Sequence, residues 1–289
     1  MTAQHRLRAA IDDATTVLAR AGVRSARTDA ELLAAHLSGT GRGRLALGSP
    51  AEDFFERFGR AVAVRAQRVP LQHITGTAAF GPIEVEVGPG VFIPRPETES
   101  LLEWVLTQTL PRAPVIVDLC TGSGALAIAL GSRLPGARVT AVDDDPTALE
   151  YARRNAASGA VNVNSAVNVN VVAGDVRDPG LLTGMAESVD LVVANPPYLP
   201  VDTELEPEVA QYDPAYALFG GPDGMTVIRD VVARAARLLK PGGLLAVEHD
   251  ETTAQVTAEL VAESFDGVES HRDLCGRARF VTGRRSGRT

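Results

Sequence analysis

The segment Asp190-Leu191-Val192-Val193-Ala194-Asn195-Pro196-Pro197-Tyr198 decides the fold that this chain adopts. Its apolar run predicts a buried parallel strand. The strand must end at the prolines, because they fix φ at two consecutive positions and remove two N–H donors. The amide of Asn195, the free backbone carbonyls and the ring of Tyr198 are suited to hold a flat, neutral NH2 group. Methylation of an amide or an exocyclic amine needs such a grip, although a plain proline turn after a core strand is the alternative.

Strands and helices alternate from Val115 onward, which predicts a parallel sheet with helices on both faces. The predicted strands are 115–119, 138–142, 169–173, 190–194 and 244–248, with weaker strands at 268–271 and 278–282 forming an antiparallel end. The predicted helices are 125–134, 146–158, 224–239 and 252–264. A Val-Asn repeat at 161–170 interrupts the pattern, and we predict a surface loop there without a function.

A glycine-rich turn, Asp118-Leu119-Cys120-Thr121-Gly122-Ser123-Gly124-Ala125, follows the first of these strands. Ligands of open α/β sheets bind at the carboxyl ends of strands, where glycines let the backbone come close. A dinucleotide site would need glycine where Ala127 stands, and Asp118 would repel a pyrophosphate. The turn therefore favours a ligand with a positive group over NAD or FAD.

Acidic residues also follow the next two strands. Asp143 is placed to accept hydrogen bonds from both hydroxyls of a ribose, and Asp175 to accept from the N6 amine of an adenine, with Val176 beside the ring. The neighbouring acids Asp144 and Asp145 are typical of a helix N-terminus. The ordered set of strand ends is more specific than any one of them.

Two further segments precede the predicted sheet domain. Helical periodicity from His5 to Arg68 indicates a small helical bundle, which Pro70 ends. Alternation over 71–93 predicts a β-hairpin linker. We therefore predict a helical domain at 1–69, a linker at 70–95 and a catalytic domain at 96–289. Recognition of a partner is the favoured role for the bundle, and a folding cap is the alternative.

Composition limits the function further. The 289 residues carry a net charge of −8, which disfavours binding of nucleic acid over an extended surface, because contact with phosphates needs clustered Lys and Arg. Cys120 and Cys275 are far apart in sequence and lack metal spacing, so we expect reduced thiols and no metal. Neither a membrane span nor a signal peptide is evident, and we expect a cytoplasmic protein that is a monomer.

Seven motifs resemble those of the HemK/PrmC protein-(glutamine-N5) methyltransferases, which modify peptide chain release factors. The resemblance covers nearly the whole chain. The motifs are Gln72-His73-Ile74-Thr75-Gly76, Ile93-Pro94-Arg95-Pro96-Glu97-Thr98-Glu99, Asp118–Ala125, Asn195–Tyr198, Ala217-Leu218-Phe219-Gly220-Gly221, Leu239-Lys240-Pro241-Gly242-Gly243 and Asp273-Leu274-Cys275-Gly276-Arg277. The first two are the most telling. Val176 departs from the aromatic residue that some relatives carry there.

The resemblance implies a Rossmann-like class I S-adenosylmethionine-dependent methyltransferase domain behind a helical domain and a hairpin. It also implies S-adenosylmethionine as methyl donor, S-adenosylhomocysteine as product, and the glutamine of the Gly-Gly-Gln loop of class 1 release factors as acceptor. The implied catalytic residues are Asn195, Pro196 and Tyr198. The implied cofactor-binding residues are Cys120, Thr121, Gly122, Ser123, Gly124, Asp143, Asp175, Val176 and Asn195. The implied substrate-binding residues are Asn195, Pro196, Pro197, Tyr198 and Arg95.

Three alternatives remain at this stage. An adenine-N6 DNA or RNA methyltransferase uses a similar turn but needs a basic surface or a target-recognition domain. A noncatalytic S-adenosylmethionine-binding assembly protein would not need both intact loops, and a nicotinamide dehydrogenase has the wrong glycine spacing. His249 and Asp250 favour structural hydrogen bonding over catalysis. The acidic segment 202–213 is predicted equally as a lid or as a solvated loop.

Overall fold

A computed structural model describes residues 3–47, 51–158 and 168–287. Its helices are α1 (Ala3–Arg20), α2 (Ala26–Leu37), α3 (Phe54–Ala66), α4 (Leu71–Thr75), α5 (Glu99–Thr107), α6 (Ala125–Arg133), α7 (Pro146–Ser158), α8 (Pro207–Tyr212), α9 (Thr226–Leu238) and α10 (Ala254–Ala262). Its strands are β1 (Thr77–Phe80), β2 (Ile83–Glu86), β3 (Val115–Leu119), β4 (Arg138–Asp143), β5 (Val169–Ala173), β6 (Val189–Ala194), β7 (Leu239–Glu248), β8 (Phe265–Arg272) and β9 (Ala278–Arg285). Most of the Val-Asn repeat lies outside the described residues.

Contacts divide the chain into two units. The helical unit comprises Met1–Gly76 together with Leu205–Tyr212, and the sheet unit comprises Thr77–Glu204 with Asp213–Thr289. The helical unit thus takes in a short segment from far along the chain. The boundaries predicted at 69/70 and 95/96 remain predictions.

The helical unit packs α1, α2 and α3 around an apolar core. Leu18 and Leu33 are fully buried there, and Phe54 stacks on Phe58 with ring centroids 5.5 Å apart. The predicted hairpin begins later than its alternation indicated, because Leu71–Thr75 is a helix. The carbonyl of Gln72 accepts from the amide of Gly76, whose φ of +78° ends the helix as a left-handed C-cap.

Buried charge ties the second segment of the helical unit to the first. Arg65, which is only 3% exposed, donates to Asp29 at 2.7 Å and to Glu208 of α8 at 3.0 Å. Arg68 donates to the same Glu208 oxygen at 2.7 Å. The sequence did not predict α8, which is too short to show helical periodicity.

The sheet has the order β5-β4-β3-β6-β7-β9-β8 over the described residues. Strands β5, β4, β3, β6 and β7 are parallel, and β9 and β8 add antiparallel pairs at one end, as the sequence predicted. The order reverses between β3 and β6, so the connections that leave the carboxyl ends of these two strands run in opposite directions and leave a crevice between them. β6 is buried at every residue, as expected for a central parallel strand covered on both faces.

The buried ion pair of the helical unit generates the first prediction. In Asp29→Ala, Arg65 keeps Glu208 but loses its closer buried partner, and losing one partner of a buried pair costs about 3–5 kcal/mol. We expect a loss near the lower end of that range. Hydrogen exchange of the amides of α2 and α3 in the full-length protein measures it.

The exposed pair between Glu56 and Arg60 serves as the control, because its side chains are 73% and 66% exposed. Glu56→Ala should change the same exchange free energies by less than about 1 kcal/mol. Equal effects of the two variants would contradict a special role for the buried pair.

Candidate functional site

A cleft of about 340 Å³ opens at the carboxyl ends of β3, β4, β5 and β6. The predicted site residues that line it are Arg95, Cys120, Thr121, Gly122, Ser123, Asp143, Asp175, Val176, Asn195 and Pro197. Gly124, Pro196 and Tyr198 are not among its lining residues. Both predicted halves of the site therefore meet in one cavity of the sheet unit.

The glycine loop, residues 120–124, wraps around the carboxylate of Asp143. Gly122 and Gly124 have φ of +58° and +83°, and Cys120 holds φ of +60° despite its side chain. Asp143 Oδ2 accepts from the amide of Gly122 at 2.8 Å, and Oδ1 accepts from the amide of Asp145 at 3.0 Å. Burial raises the pKa of Asp143, while these amides lower it. Each oxygen keeps capacity for a further donor.

Asp118 is a second buried carboxylate on the cleft wall. It is 1% exposed and accepts from the hydroxyl of Thr121 at 2.5 Å. Burial raises its pKa to about 7 against the lowering effect of that hydrogen bond. A cationic ligand group in the cleft would favour its ionised form.

Asn155 of α7 fixes the backbone of the glycine loop by a hydrogen bond from its side chain. Its Nδ2 donates to the backbone oxygen of Ser123 at 2.9 Å and to that of Glu86 at 3.0 Å, and its Oδ1 accepts from the amide of Glu86 at 2.7 Å. The residue is 1% exposed. One side chain therefore joins the hairpin strand β2 to the loop, and no local sequence pattern indicated it.

The Asn-Pro-Pro-Tyr turn, residues 195–198, is held by a buried polar cluster. Asn195 Nδ2 donates to Thr98 Oγ1 at 3.0 Å, and Thr98 Oγ1 donates to Glu248 Oε2 at 2.8 Å. The hydroxyl of Tyr198 donates to Glu248 Oε1 at 2.9 Å. Glu248 has no exposed surface, and burial raises its pKa to about 7. The turn is therefore fixed through side chains at both of its ends.

Tyr198 packs against the hydrophobic core and does not line the cleft. Its ring packs against the buried cluster that contains Val192 and Val247. Burial and the neighbouring Glu248 raise its pKa well above the usual value, so the hydroxyl stays a donor. Arg279 donates to that hydroxyl at 3.4 Å. The predicted stacking of Tyr198 on an acceptor amide stays a prediction.

A second strand segment supports the far side of the turn. The amide of Leu199 donates to the oxygen of Leu218, and the amide of Gly220 donates to the oxygen of Leu199, both at 2.9 Å. A Cβ on Gly220 would lie 2.5 Å from the backbone oxygens of Pro197 and Gly224. Only glycine permits this approach, which explains the Gly220 of the Ala217–Gly221 motif.

Arg95 reaches the cleft while paired with a buried acid. It forms an ion pair with Asp213, whose side chain is 2% exposed, and its guanidinium lies 5.0 Å from the ring centroid of Phe92. Burial raises the pKa of Asp213, and Arg95 opposes that effect. The predicted contact of Arg95 with a substrate stays a prediction.

The loop after β5 is organised by a buried arginine that the sequence did not reveal. Arg234 of α9, 5% exposed, donates to the backbone oxygens of Val176 at 3.4 Å and of Leu181 at 3.3 Å, and also to that of Asp178. Asp175 pairs with Arg177 at 2.6 Å, which lowers the pKa of Asp175. Arg234 therefore shapes the segment that presents Asp175 and Val176.

His249 and Asp250 have structural partners, as predicted. His249 is fully buried, its Nδ1 lies 2.8 Å from the backbone oxygen of Asp250, and burial lowers its pKa. The carboxylate of Asp250 accepts from the amide of Thr252 at 2.9 Å. Over the described ranges, no group of three or more His, Cys, Asp or Glu side chains is arranged to hold a metal ion.

Several cleft residues escaped the sequence analysis. They are Phe80, Phe92, Thr98, Tyr216, Phe219 and Thr226. Thr98 and Phe219 lie inside quoted motifs and Phe92 directly precedes one, so this proximity to the motifs was the available signal. Tyr216 donates to the oxygen of Gly90 at 3.0 Å, a pairing across 126 residues that no local pattern predicts.

Two family models match the chain. The PrmC N-terminal domain matches residues 9–76, and the methyltransferase small domain matches residues 89–211. The release factor glutamine methyltransferase of Mycobacterium leprae is 58% identical over 287 residues, covering 97% of each chain. The chain belongs to the release factor glutamine methyltransferase family. It is accordingly an enzyme with a methyltransferase domain.

A more distant relative agrees with this family, and two solved structures share the fold. The release factor glutamine methyltransferase of Streptomyces coelicolor is 44% identical and covers 97% of this chain and 98% of its own. A 16S rRNA methyltransferase of T. thermophilus, solved with AdoMet and guanosine, has a TM-score of 0.52 at 21% identity and covers 72% of this chain and 49% of its own. A Pyrococcus furiosus methyltransferase has a TM-score of 0.51 at 20% identity, with coverage of 72% and 91%. These structures confirm the Rossmann-like fold.

In the parts of the chain that the structure describes, none of the helices combines the length and the apolar character that a membrane span requires.

Glu248 generates a prediction on stability. Its pKa rises from the ordinary 4.5 to about 7, so the folded state binds the proton more tightly than the unfolded chain does. Its contribution to stability is therefore present below pH 4.5 and lost as the pH rises through 7. Thr98, Tyr198 and Arg279 favour the charged form, and Glu97 opposes it. Glu248→Gln should remove this loss, which urea unfolding at several pH values measures.

The free energy of unfolding of Glu248→Gln should rise relative to wild type by a few kcal/mol across that window. Glu251→Gln, which changes an exposed side chain in the next turn, should follow the wild-type pH dependence. Parallel curves for wild type and Glu248→Gln would contradict the assignment.

Proposed function

We propose that this enzyme transfers a methyl group from S-adenosylmethionine to the side-chain amide nitrogen of the glutamine in the Gly-Gly-Gln loop of class 1 release factors. The observation that carries the proposal is the amide of Asn195 on the cleft wall, tied through Nδ2 to Thr98. Its Oδ1 is left to accept from an NH2 group beside the glycine loop. The names of the relatives support release factors as the substrate.

The cleft has the chemistry that S-adenosylmethionine requires. The buried Asp143 carboxylate keeps acceptor capacity on both oxygens, as a ribose diol needs. Asp118 supplies a negative charge for an ammonium group. A Cβ on Gly122 would meet nothing within 4 Å, so the loop leaves open space on the cleft side. Asp175 and Val176 would flank the adenine.

Bound S-adenosylmethionine supplies an electrophilic methyl carbon: the glutamine nitrogen bonds to it, the carbon–sulfur bond breaks, and the electron pair stays on the sulfur of S-adenosylhomocysteine. Asn195 and the carbonyl of Pro196 would accept the two N–H hydrogens of the acceptor amide. They would thereby draw the nitrogen lone pair out of conjugation and aim it at the donor. Positioning and electrostatics of this kind supply much of the rate in such sites.

A general base is not required in this proposal. The nitrogen becomes cationic once the new bond has formed, so its proton is acidic and leaves to water. Tyr198 and Glu248 hold each other through their hydrogen bond and are not needed as proton acceptors.

Recognition of the release factor is proposed for the helical unit. The helical unit, residues 1–76 and 205–212, carries 11 arginines and 9 acidic residues, although the whole chain has a net charge of −8. This excess suits an acidic surface on the partner protein. A monomeric state and the lack of direct nucleic-acid contact remain predictions.

Asp143→Ala tests the cofactor site. Hydrogen bonds to a charged acceptor contribute about 1.5–3 kcal/mol, so we expect S-adenosylmethionine affinity to fall by at least about tenfold. Isothermal titration calorimetry measures it. Glu150→Ala, an exposed acid on α7, is the matched control. Unchanged affinity in folded Asp143→Ala would exclude the ribose role.

Asn195 provides the test of the acceptor site. Losing one preorganised polar contact costs about 10²–10³ in rate, so Asn195→Ala should lower kcat by that factor with little change in cofactor affinity. Asn195→Asp should also abolish most turnover, because the oxygen that replaces Nδ2 would face the oxygen of Thr98 and displace the carboxylate from its position. Near wild-type methylation by both variants would mean that residues 195–198 are only a turn.

Labelled S-adenosylmethionine offered with a release factor or with DNA decides the reaction class. We expect label in the release factor, lost when its Gly-Gly-Gln glutamine is replaced by alanine. Label in DNA and none in protein would establish the adenine-N6 alternative instead.

A further inference from the structure

A line of hydrogen bonds leads from the cleft wall into the protein. Asn195 Nδ2 lies 3.0 Å from Thr98 Oγ1, which lies 2.8 Å from Glu248 Oε2. The hydroxyl of Tyr198 lies 2.9 Å from the other carboxylate oxygen. Thr98 is 4% exposed and Glu248 is fully buried, so water does not compete for these partners.

The direction of each bond follows from donor and acceptor counts. When Glu248 is ionised it only accepts, so it takes the single hydroxyl hydrogen of Thr98. The oxygen of Thr98 can then only accept from Asn195, and only the NH2 end of that amide donates. The network therefore fixes which end of the Asn195 amide is oxygen, an assignment that side-chain shape alone does not make.

We propose that Thr98 and Glu248 are positioning residues that hold the Asn195 amide in the one orientation able to accept from a substrate NH2. The inference rests on the proposed function and names how that site distinguishes its substrate. In the flipped orientation, the NH2 of Asn195 would face the NH2 of the acceptor, and two donors would oppose each other.

The same orientation selects the chemical class of the acceptor. The Asn195 oxygen matches the NH2 of a carboxamide, but it repels the oxygens of a carboxylate. A site that is built to pair a buried polar group discriminates strongly against an analogue that leaves the group unpaired. The arrangement thus favours glutamine over glutamate before any transfer takes place.

Removing the hydroxyl of Thr98 tests whether it positions Asn195. Thr98→Val keeps the shape and removes both hydrogen bonds, so the two orientations of Asn195 compete. Misplacement of a reacting group by a small distance costs up to about 10²-fold, and we expect kcat for release factor methylation to fall about 10- to 100-fold. Calorimetric affinity for S-adenosylmethionine should stay at the wild-type value.

Thr98→Ser is the rescue variant. It keeps the hydroxyl and loses only a methyl group, so kcat should stay within about threefold of wild type despite its freer χ1 rotation. Urea unfolding of all variants shows whether they fold. A Thr98→Ser variant as slow as Thr98→Val would mean that packing, and not the hydroxyl, matters, and would overturn the proposal.

A double-mutant cycle separates positioning from direct contact. If Thr98 acts through Asn195, Thr98→Val should cost almost nothing in the Asn195→Ala background, a strongly non-additive result. An equal cost in both backgrounds would show that Thr98 acts on the substrate by itself, and would overturn the proposal. Wild-type kcat in Thr98→Val would do the same.

A readout that needs no turnover keeps the two proposals distinguishable. In 15N-labelled wild-type protein, the side-chain NH2 of Asn195, identified by its loss in Asn195→Ala, should exchange slowly with water. Thr98→Val should speed that exchange, and Thr98→Ser should not. An enzyme that leaves the release factor unlabelled contradicts the proposed function, whereas unchanged exchange in Thr98→Val contradicts the positioning role.

Discussion

The burial of one carboxylate constrains the centre of this enzyme. Glu248 ends a central strand and has no exposed surface, so its charge is stabilised only by groups that the protein supplies. These groups come from three separate parts of the chain: Thr98, Tyr198 and, through its charge, Arg279. Folding must bring all three together before the carboxylate can be buried at low cost.

In each half of the cleft, a buried carboxylate organises the neighbouring loop by accepting hydrogen bonds. Asp143 organises the glycine loop by accepting from two backbone amides, just as Glu248 organises the Asn-Pro-Pro-Tyr turn by accepting from two hydroxyls. Each acid stands at the carboxyl end of a parallel strand, next to the point where the sheet order reverses. The loops are thereby preorganised by the rigid sheet and need little rearrangement to receive ligands.

The fold was predictable where its signal is local. Strong periodicity located the central strands and helices, and the glycine, acidic and proline motifs indicated which strand ends meet. The sequence missed α4 and α8, since both are too short for periodicity, and took residues 71–75 as part of a hairpin. It also missed Thr98, Asn155, Glu248 and Arg234 as organisers. Their partners lie 32 to 150 residues away, and such pairings leave no pattern in a single sequence.

The helix α8 has a consequence for how the protein can be divided. The chain leaves the sheet unit at Glu204, contributes α8 to the helical unit and returns at Asp213. The helical unit is therefore a discontinuous domain, and no single cut releases it whole. A fragment that starts at Thr77 would carry α8, which begins at Pro207 shortly after the Asn-Pro-Pro-Tyr turn, without its arginine partners. Any activity lost on such a deletion would combine the loss of α1, α2 and α3 with a disturbed loop, so point substitutions on the surface of these helices test the proposed recognition role more cleanly.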